Sequence, residues 1–127
     1  MYELVADVER YPRFLPWCRS ASLRRSADDA VEASIEIGRG PIHRTFTTRN
    51  LLTPGARIDM QLVDGPFRHL QGSWRFDSLA NDGCRVALHL EFELASALLR
   101  RTMGPIFAEI ADSMVDAFCR RARELYG

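Results

Sequence analysis

Lysine is missing from this chain. All 17 basic residues are arginine, a bias that genome composition explains as readily as function does. Net charge is missing too, because 17 acidic residues balance the arginines. A neutral chain lacks the broad electrostatic footprint of a nucleic-acid binder, so no DNA partner is expected and only a local basic patch remains open to RNA. Cysteine is scarce: Cys18, Cys84 and Cys119 are odd in number, widely spaced and form no CxxC pair. That pattern predicts reduced thiols in a cytosolic setting. No apolar run approaches the roughly 20 residues that span a bilayer, and no secretory signal is visible. The predicted location is cytoplasmic, with at most peripheral contact at the inner face of the cytoplasmic membrane. Repeats, low-complexity tracts and linkers are also lacking. With 127 residues and a hydrophobic fraction of 46%, the expectation is one domain over residues 1–127 around one core.

What the chain does contain is organised around its last stretch, Met103 to Tyr126. At 100° per residue, Met103, Ile106, Phe107, Ile110, Met114, Ala117, Phe118 and Leu125 share one arc, while Glu109, Asp112, Asp116, Arg120 and Arg123 share the opposite one. Arg121 falls on the apolar side, late enough to snorkel past the end of the core. So long an amphipathic helix needs a large apolar partner surface. The preceding chain offers six strand candidates, which predicts a helix laid across a curved antiparallel sheet.

Residues Tyr2 to Val8 form a short helical candidate. In YPRFLPW, Tyr11 to Trp17, Pro12 and Pro16 permit only a very short helical turn, and the crowded Tyr11, Phe14, Leu15 and Trp17 suit either a core plug or a pocket lip. Ala21 to Ser26 is weakly patterned. Val31, Ala33, Ile35 and Ile37 alternate with polar residues, as do Ile58, Met60 and Leu62, then Leu70, Gly72, Trp74 and Phe76, and most clearly Cys84, Val86, Leu88, Leu90, Phe92 and Leu94. Ile42 to Leu52 is extended and Thr-rich, with Phe46 on the parity of Ile42. Turn signals at Asp28-Asp29, Pro54-Gly55, Asp64-Gly65-Pro66 and Asn81-Asp82-Gly83 make the set a meander with one packed face and one wet face. Ser96 caps a helical turn over Ala97 to Arg101, and Gly104-Pro105 either kinks the helix or begins it.

Catalytic chemistry finds little support. His43, His69 and His89 are dispersed and belong to no metal motif, so no metal is expected. Cys84 has the inward parity of its strand and reads as a buried small hydrophobe. Cys18 and Cys119 have no base placed beside them in sequence. Glu91 and Glu93 share an outward face and do not resemble a split acid and base pair. No catalytic residue is assigned. The apolar faces contribute Phe46, Met60, Leu62, Trp74, Phe76, Leu88, Leu90, Phe92, Phe107, Ile110, Met114 and Phe118. A solid core and an apolar cavity both accommodate that set. Adaptable methionines on the helix and the Pro-bounded aromatic segment favour a cavity. Arg13, Arg19, Arg68, Arg100 and Arg101 suit solubilising charges first, and contacts to anionic headgroups or RNA phosphates second.

Five stretches together resemble a known family: DVERYPRFLPWC (Asp7 to Cys18), FTTRNLL (Phe46 to Leu52), LVDGPFRHLQGSWRF (Leu62 to Phe76), CRVALHLEFE (Cys84 to Glu93) and GPIFAEIADSMVDAFCRRARELY (Gly104 to Tyr126). Their order and spacing are similar to those of the coenzyme-Q-binding proteins and ribosome association toxins of the START-like, polyketide-cyclase-like (SRPBCC) superfamily. The resemblance implies an α+β helix-grip fold. It also implies a strand ahead of the first helix; none precedes Tyr2 here, which is expected from a misplaced start codon, a truncated chain or an open sheet alike. The functional expectation is non-catalytic binding of ubiquinone or a related isoprenoid lipid, in support of respiration and without a catalytic cofactor. Strand parity and the resemblance together place the quinone against Phe46, Met60, Leu62, Trp74 and Leu90 beneath Phe107, Ile110 and Met114, with Tyr11, Phe14, Trp17 and Phe67 at the mouth. The alternative is a toxin-like translation inhibitor that binds the large ribosomal subunit and blocks subunit association. A cyclase or hydrolase-type enzyme, the third reading, needs convergent polar groups inside the cavity.

Overall fold

The computed structural model describes residues 1–79 and 83–126, with the backbone alone at Cys84. Helix α1 (Tyr2–Ala6) runs into a 3-10 turn (Val8–Arg13) that contains Pro12. Six strands follow: β1 (Cys18–Ala27), β2 (Ala30–Arg39), β3 (Ile42–Thr53), β4 (Arg57–Asp64), β5 (Phe67–Ser78) and β6 (Cys84–Leu94). Among the described residues they form one sheet in the order β1-β2-β3-β4-β5-β6, every neighbour antiparallel. This is the expected meander, because short turns between alternating strands leave no other pairing so close in sequence. Asn81 and Asp82 of the expected β5–β6 turn, and the inward position expected of the Cys84 side chain, lie outside the described residues.

Helix α2 (Ala97–Thr102) is capped as predicted: the Ser96 hydroxyl accepts from the Leu99 backbone N–H at 3.1 Å. Met103 closes it, and α3 (Gly104–Tyr126) begins at once. Pro105 therefore sits in the first turn of α3, where a missing N–H costs nothing. The expected stripe holds for Ile106, Phe107, Ile110 and Phe118, which are buried. It overshoots at Leu125, which is half exposed because the last turn runs past the sheet. Arg121 does not reach clear of the core as expected: its guanidinium lies 5.2 Å from the centre of the Phe14 ring, and its Nε is buried without a hydrogen-bond partner.

The inner face of the sheet and α3 enclose two apolar clusters. One gathers Val5, Val8, Tyr11 and Leu15 of the N-terminal segment around Trp74, Phe76 and Phe118. The other gathers Ile37, Phe67, Leu70 and Leu94 around Met103, Ile106, Phe107 and Ile110. Each fully buried side chain of this size contributes about 1.5–3 kcal/mol. Both clusters are densely aromatic. Phe118 meets Tyr11, Phe14 and Trp74 edge-on, and Phe107 meets Phe46, Phe67 and Phe92. The helix is thus fastened on both sides of Met114, and a space remains beneath it.

Candidate functional site

Between the two clusters lies a cavity of about 70 Å³, counted as the space open to the centre of a water molecule. The arc of the sheet keeps β2 to β6 away from the middle of α3. Seven of the eight residues expected against the ligand line it: Phe46 and Met60 from β3 and β4, Trp74 and Leu90 from β5 and β6, and Phe107, Ile110 and Met114 from α3. Leu62 does not. β4 pairs with β5 only as far as Gln61, and beyond it Leu62 leans on the second cluster instead.

The four mouth residues divide. Trp17, half-buried, lines both the cavity and an outer groove bordered by Arg19, Arg39, Glu109, Asp116, Arg120 and Arg121. It forms part of the partition between interior and exterior. Tyr11 lines the cavity but is buried, its hydroxyl donating to the Val5 carbonyl, so it is wall rather than lip. Phe14 faces the outer groove and packs on Tyr11 and Phe118. Phe67 is buried in the second cluster and lines neither the cavity nor the outer groove. A bulge between Phe67 and His69 adds a residue to β5 opposite Leu94 and Glu93, which turns Phe67 inward.

Sequence reasoning missed the polar part of the cavity. Thr48 and Asn50, on the β3 face that also carries Phe46, line it and are 5% and 6% exposed. The Thr48 hydroxyl donates to the Asn50 side-chain oxygen at 2.7 Å. Parity counted from Phe46 would have put both inside, but their Thr-rich surroundings read as ordinary strand. Val8, Ala33, Ile35, Ile37, Leu70, Leu88 and Ala111 complete the lining.

The electrostatics around this space are quiet. Among the described residues no charged side chain lines it. The Tyr11 hydroxyl is held far above its ordinary range, first by burial and then by the neighbouring Cys18 and Asp7. Burial, followed by the Glu36 charge, pushes the Cys18 thiol up to about 11, so it stays protonated at neutral pH and is a poor nucleophile. His43, His69 and His89 are exposed on the outer face, where they lie near Glu36 or Glu91. Hydrogen bonds from Gln71, then from His89, hold Glu91 below the usual carboxylate range. Among the described residues no group of three metal-ligating side chains converges, and no helix is long and apolar enough to cross a membrane.

A bent antiparallel sheet gripping a long C-terminal helix over an apolar space is an architecture with known relatives. Residues 1–119 match the family described as polyketide cyclase/dehydrase and lipid transport. The chain belongs to this family. Within it, the chain is similar to a ribosome association toxin, RatA, of Pseudomonas aeruginosa, with 44% identity over 127 residues, all of this chain and 88% of that protein. It is 30% identical to a mitochondrial coenzyme Q-binding protein, COQ10 homolog B, of Xenopus laevis, over all of this chain and 54% of that one. The fold is that of the Zhui aromatase/cyclase from Streptomyces sp. R1128, with a TM-score of 0.82 at 17% identity over 96% of this chain and 84% of the other. Family membership makes this a START-like α+β protein of a ligand-binding family.

Proposed function

We propose that this polyketide cyclase/dehydrase-family protein is a non-catalytic carrier that binds ubiquinone, or a related isoprenoid lipid, in the cavity beneath α3. The observation that carries the reading is the lining itself. Seventeen of the 18 cavity residues lack an ionisable group, and the one exception, Tyr11, has its proton committed to a backbone carbonyl. Such walls suit an insoluble chain and offer no acid, base or nucleophile. The likeness to a coenzyme Q-binding protein supports the same ligand class.

The cavity is narrow, and its width is set partly by Met60 and Met114. Unbranched thioether side chains turn aside at small cost, so a ligand finds more room than water does. Phe46, Met60, Trp74, Leu90, Phe107, Ile110 and Met114 hold the ring and the first isoprene units. Trp17 yields at the mouth, and the rest of the tail stays in the outer groove or the membrane. The protein works in the cytoplasm and touches the inner face of the membrane only peripherally. Mass spectrometry of the lipid extract from purified protein, followed by reloading with a short-chain ubiquinone, tests this. Protein that carries no quinone and takes none up overturns it.

A second reading rests on the 44% identity to a ribosome association toxin over the whole chain. In that case the outer groove, with Arg19, Arg39, Arg120 and Arg121 beside Trp17, meets the large ribosomal subunit, and binding weakens as salt rises. Sucrose-gradient profiles with and without overexpressed protein test it. A 70S peak unchanged by overexpression, with no protein in the 50S fractions, refutes it.

A further inference from the structure

Asn50 is the exception in an otherwise apolar cavity, and its two ends are treated differently. Its side-chain oxygen accepts the Thr48 hydroxyl at 2.7 Å. Its amide nitrogen meets no acceptor among the described residues, and yet the residue is 6% exposed and lines the cavity. Because the oxygen is held on the Thr48 side, the two N–H donors are left for the cavity. The neighbours leave room in front of them. Ala33, which pairs directly with Thr48 on the adjacent strand, contributes only a methyl group, and Met60, paired with Asn50, is flexible. That nitrogen is not among the side-chain atoms sealed away without a partner, so it opens onto the cavity space, where an acceptor brought by a ligand pairs with it.

We propose that Asn50, oriented by Thr48, is the hydrogen-bond donor that selects and aligns the ligand through a carbonyl oxygen. The inference rests on the carrier reading above and adds the chemical class that the cavity prefers: an apolar body with a neutral acceptor. A bare hydrocarbon leaves the amide unpaired. A carboxylate would be buried where no arginine lines the wall to balance it. Asn50 therefore sets which end of a quinone enters first, with the ring inward and the tail towards Trp17.

Calorimetric titration of the full chain with decylubiquinone and with decylbenzene, which has the same tail but no carbonyl, separates the possibilities. Asn50→Leu is expected to weaken decylubiquinone about three- to tenfold, the value of one hydrogen bond, while decylbenzene binds as well or better. Thr48→Val frees the amide to turn and is expected to shift the same ratio in the same direction by less. Decylubiquinone bound as tightly by Asn50→Leu as by the parent protein overturns this inference and leaves the carrier reading standing. A parent protein that binds neither probe overturns both. Where circular dichroism shows Asn50→Leu unfolded, Thr48→Val decides, and an unchanged ratio of the two affinities refutes the orienting role.

Discussion

Phe118→Ala removes the side chain that joins α3, the N-terminal segment and the sheet. The ring is 0% exposed. Its centroid lies 5.1 Å from Tyr11, 5.4 Å from Phe14 and 5.4 Å from Trp74, all edge-on. Truncating a buried Phe costs about 3–5 kcal/mol, the spread reflecting how far the surroundings collapse. Collapse is restricted here. Trp74 belongs to a strand paired on both sides, and residue 118 is fixed in a helix of 23 residues. Only the segment from Tyr2 to Leu15 is free to shift, and the Tyr11–Val5 hydrogen bond braces it. The expected loss is therefore about 4–5 kcal/mol, a large part of the roughly 5–15 kcal/mol that keeps an ordinary domain folded. Urea unfolding at 25 °C, followed by tryptophan fluorescence and far-ultraviolet circular dichroism, measures it. A loss below about 2 kcal/mol with an unchanged m-value would show the N-terminal segment relaxing into the space, and the claim that Phe118 fastens the helix would be wrong.

Gly72→Ala puts a Cβ 2.6 Å from the His89 carbonyl oxygen and 2.9 Å from Leu90 Cδ1, against a strand that cannot retreat; destabilisation of about 1–3 kcal/mol and loss of decylubiquinone binding are expected, and unaltered binding refutes the placement of the site. Cys18 has its folded pKa raised from 9.0 to about 11, so the unfolded chain loses this proton first. Its contribution to stability is full below about pH 9 and is lost as pH rises through 11. Denaturation midpoints measured between pH 7 and 11 should fall more steeply for the parent protein than for Cys18→Ala, and parallel curves would contradict the shift. Arg39 donates to Glu109 at 2.6 Å between β2 and α3, but both side chains are more than half exposed. Arg39→Ala should cost under about 1 kcal/mol in the same urea assay, and a larger loss would mean that this contact matters more to the helix than solvent screening allows.

Much of the fold was legible because two periods dominate the chain. Alternation by two gave β2, β4, β5 and β6, and the 3.6-residue stripe gave α3, since each element has one wet face and one dry one. β1 was only half seen. It runs from Cys18 to Ala27, but register shifts between Cys18 and Ser20 and between Arg25 and Ala27 break the alternation at both ends. Where the expected positions and the cavity lining part, the origin is the same. Parity carried the reading along each strand, and it fails where a strand changes register. Phe67 turns inward behind its bulge, and Leu62 passes the last β4–β5 pair. Phe14 and Tyr11 were out of reach for a different reason: a 3-10 turn presents its side chains in no repeating pattern that a six-residue segment can reveal. Thr48 and Asn50 carry a usable signal in their even spacing from Phe46, although their polarity alone does not mark them as cavity residues.

A beam held on both sides of its load need not move when the load arrives. α3 is anchored through Phe118 on one side and through Ile106 and Phe107 on the other, so on the carrier reading proposed above a guest beneath Ile110 and Met114 would be accommodated by side-chain rotation while the backbone keeps its place. Uptake then scarcely alters the outline of the protein. On that reading, any receptor that must distinguish the loaded form from the empty one has to read the doorway, where Trp17 touches both the inner chamber and the outer channel.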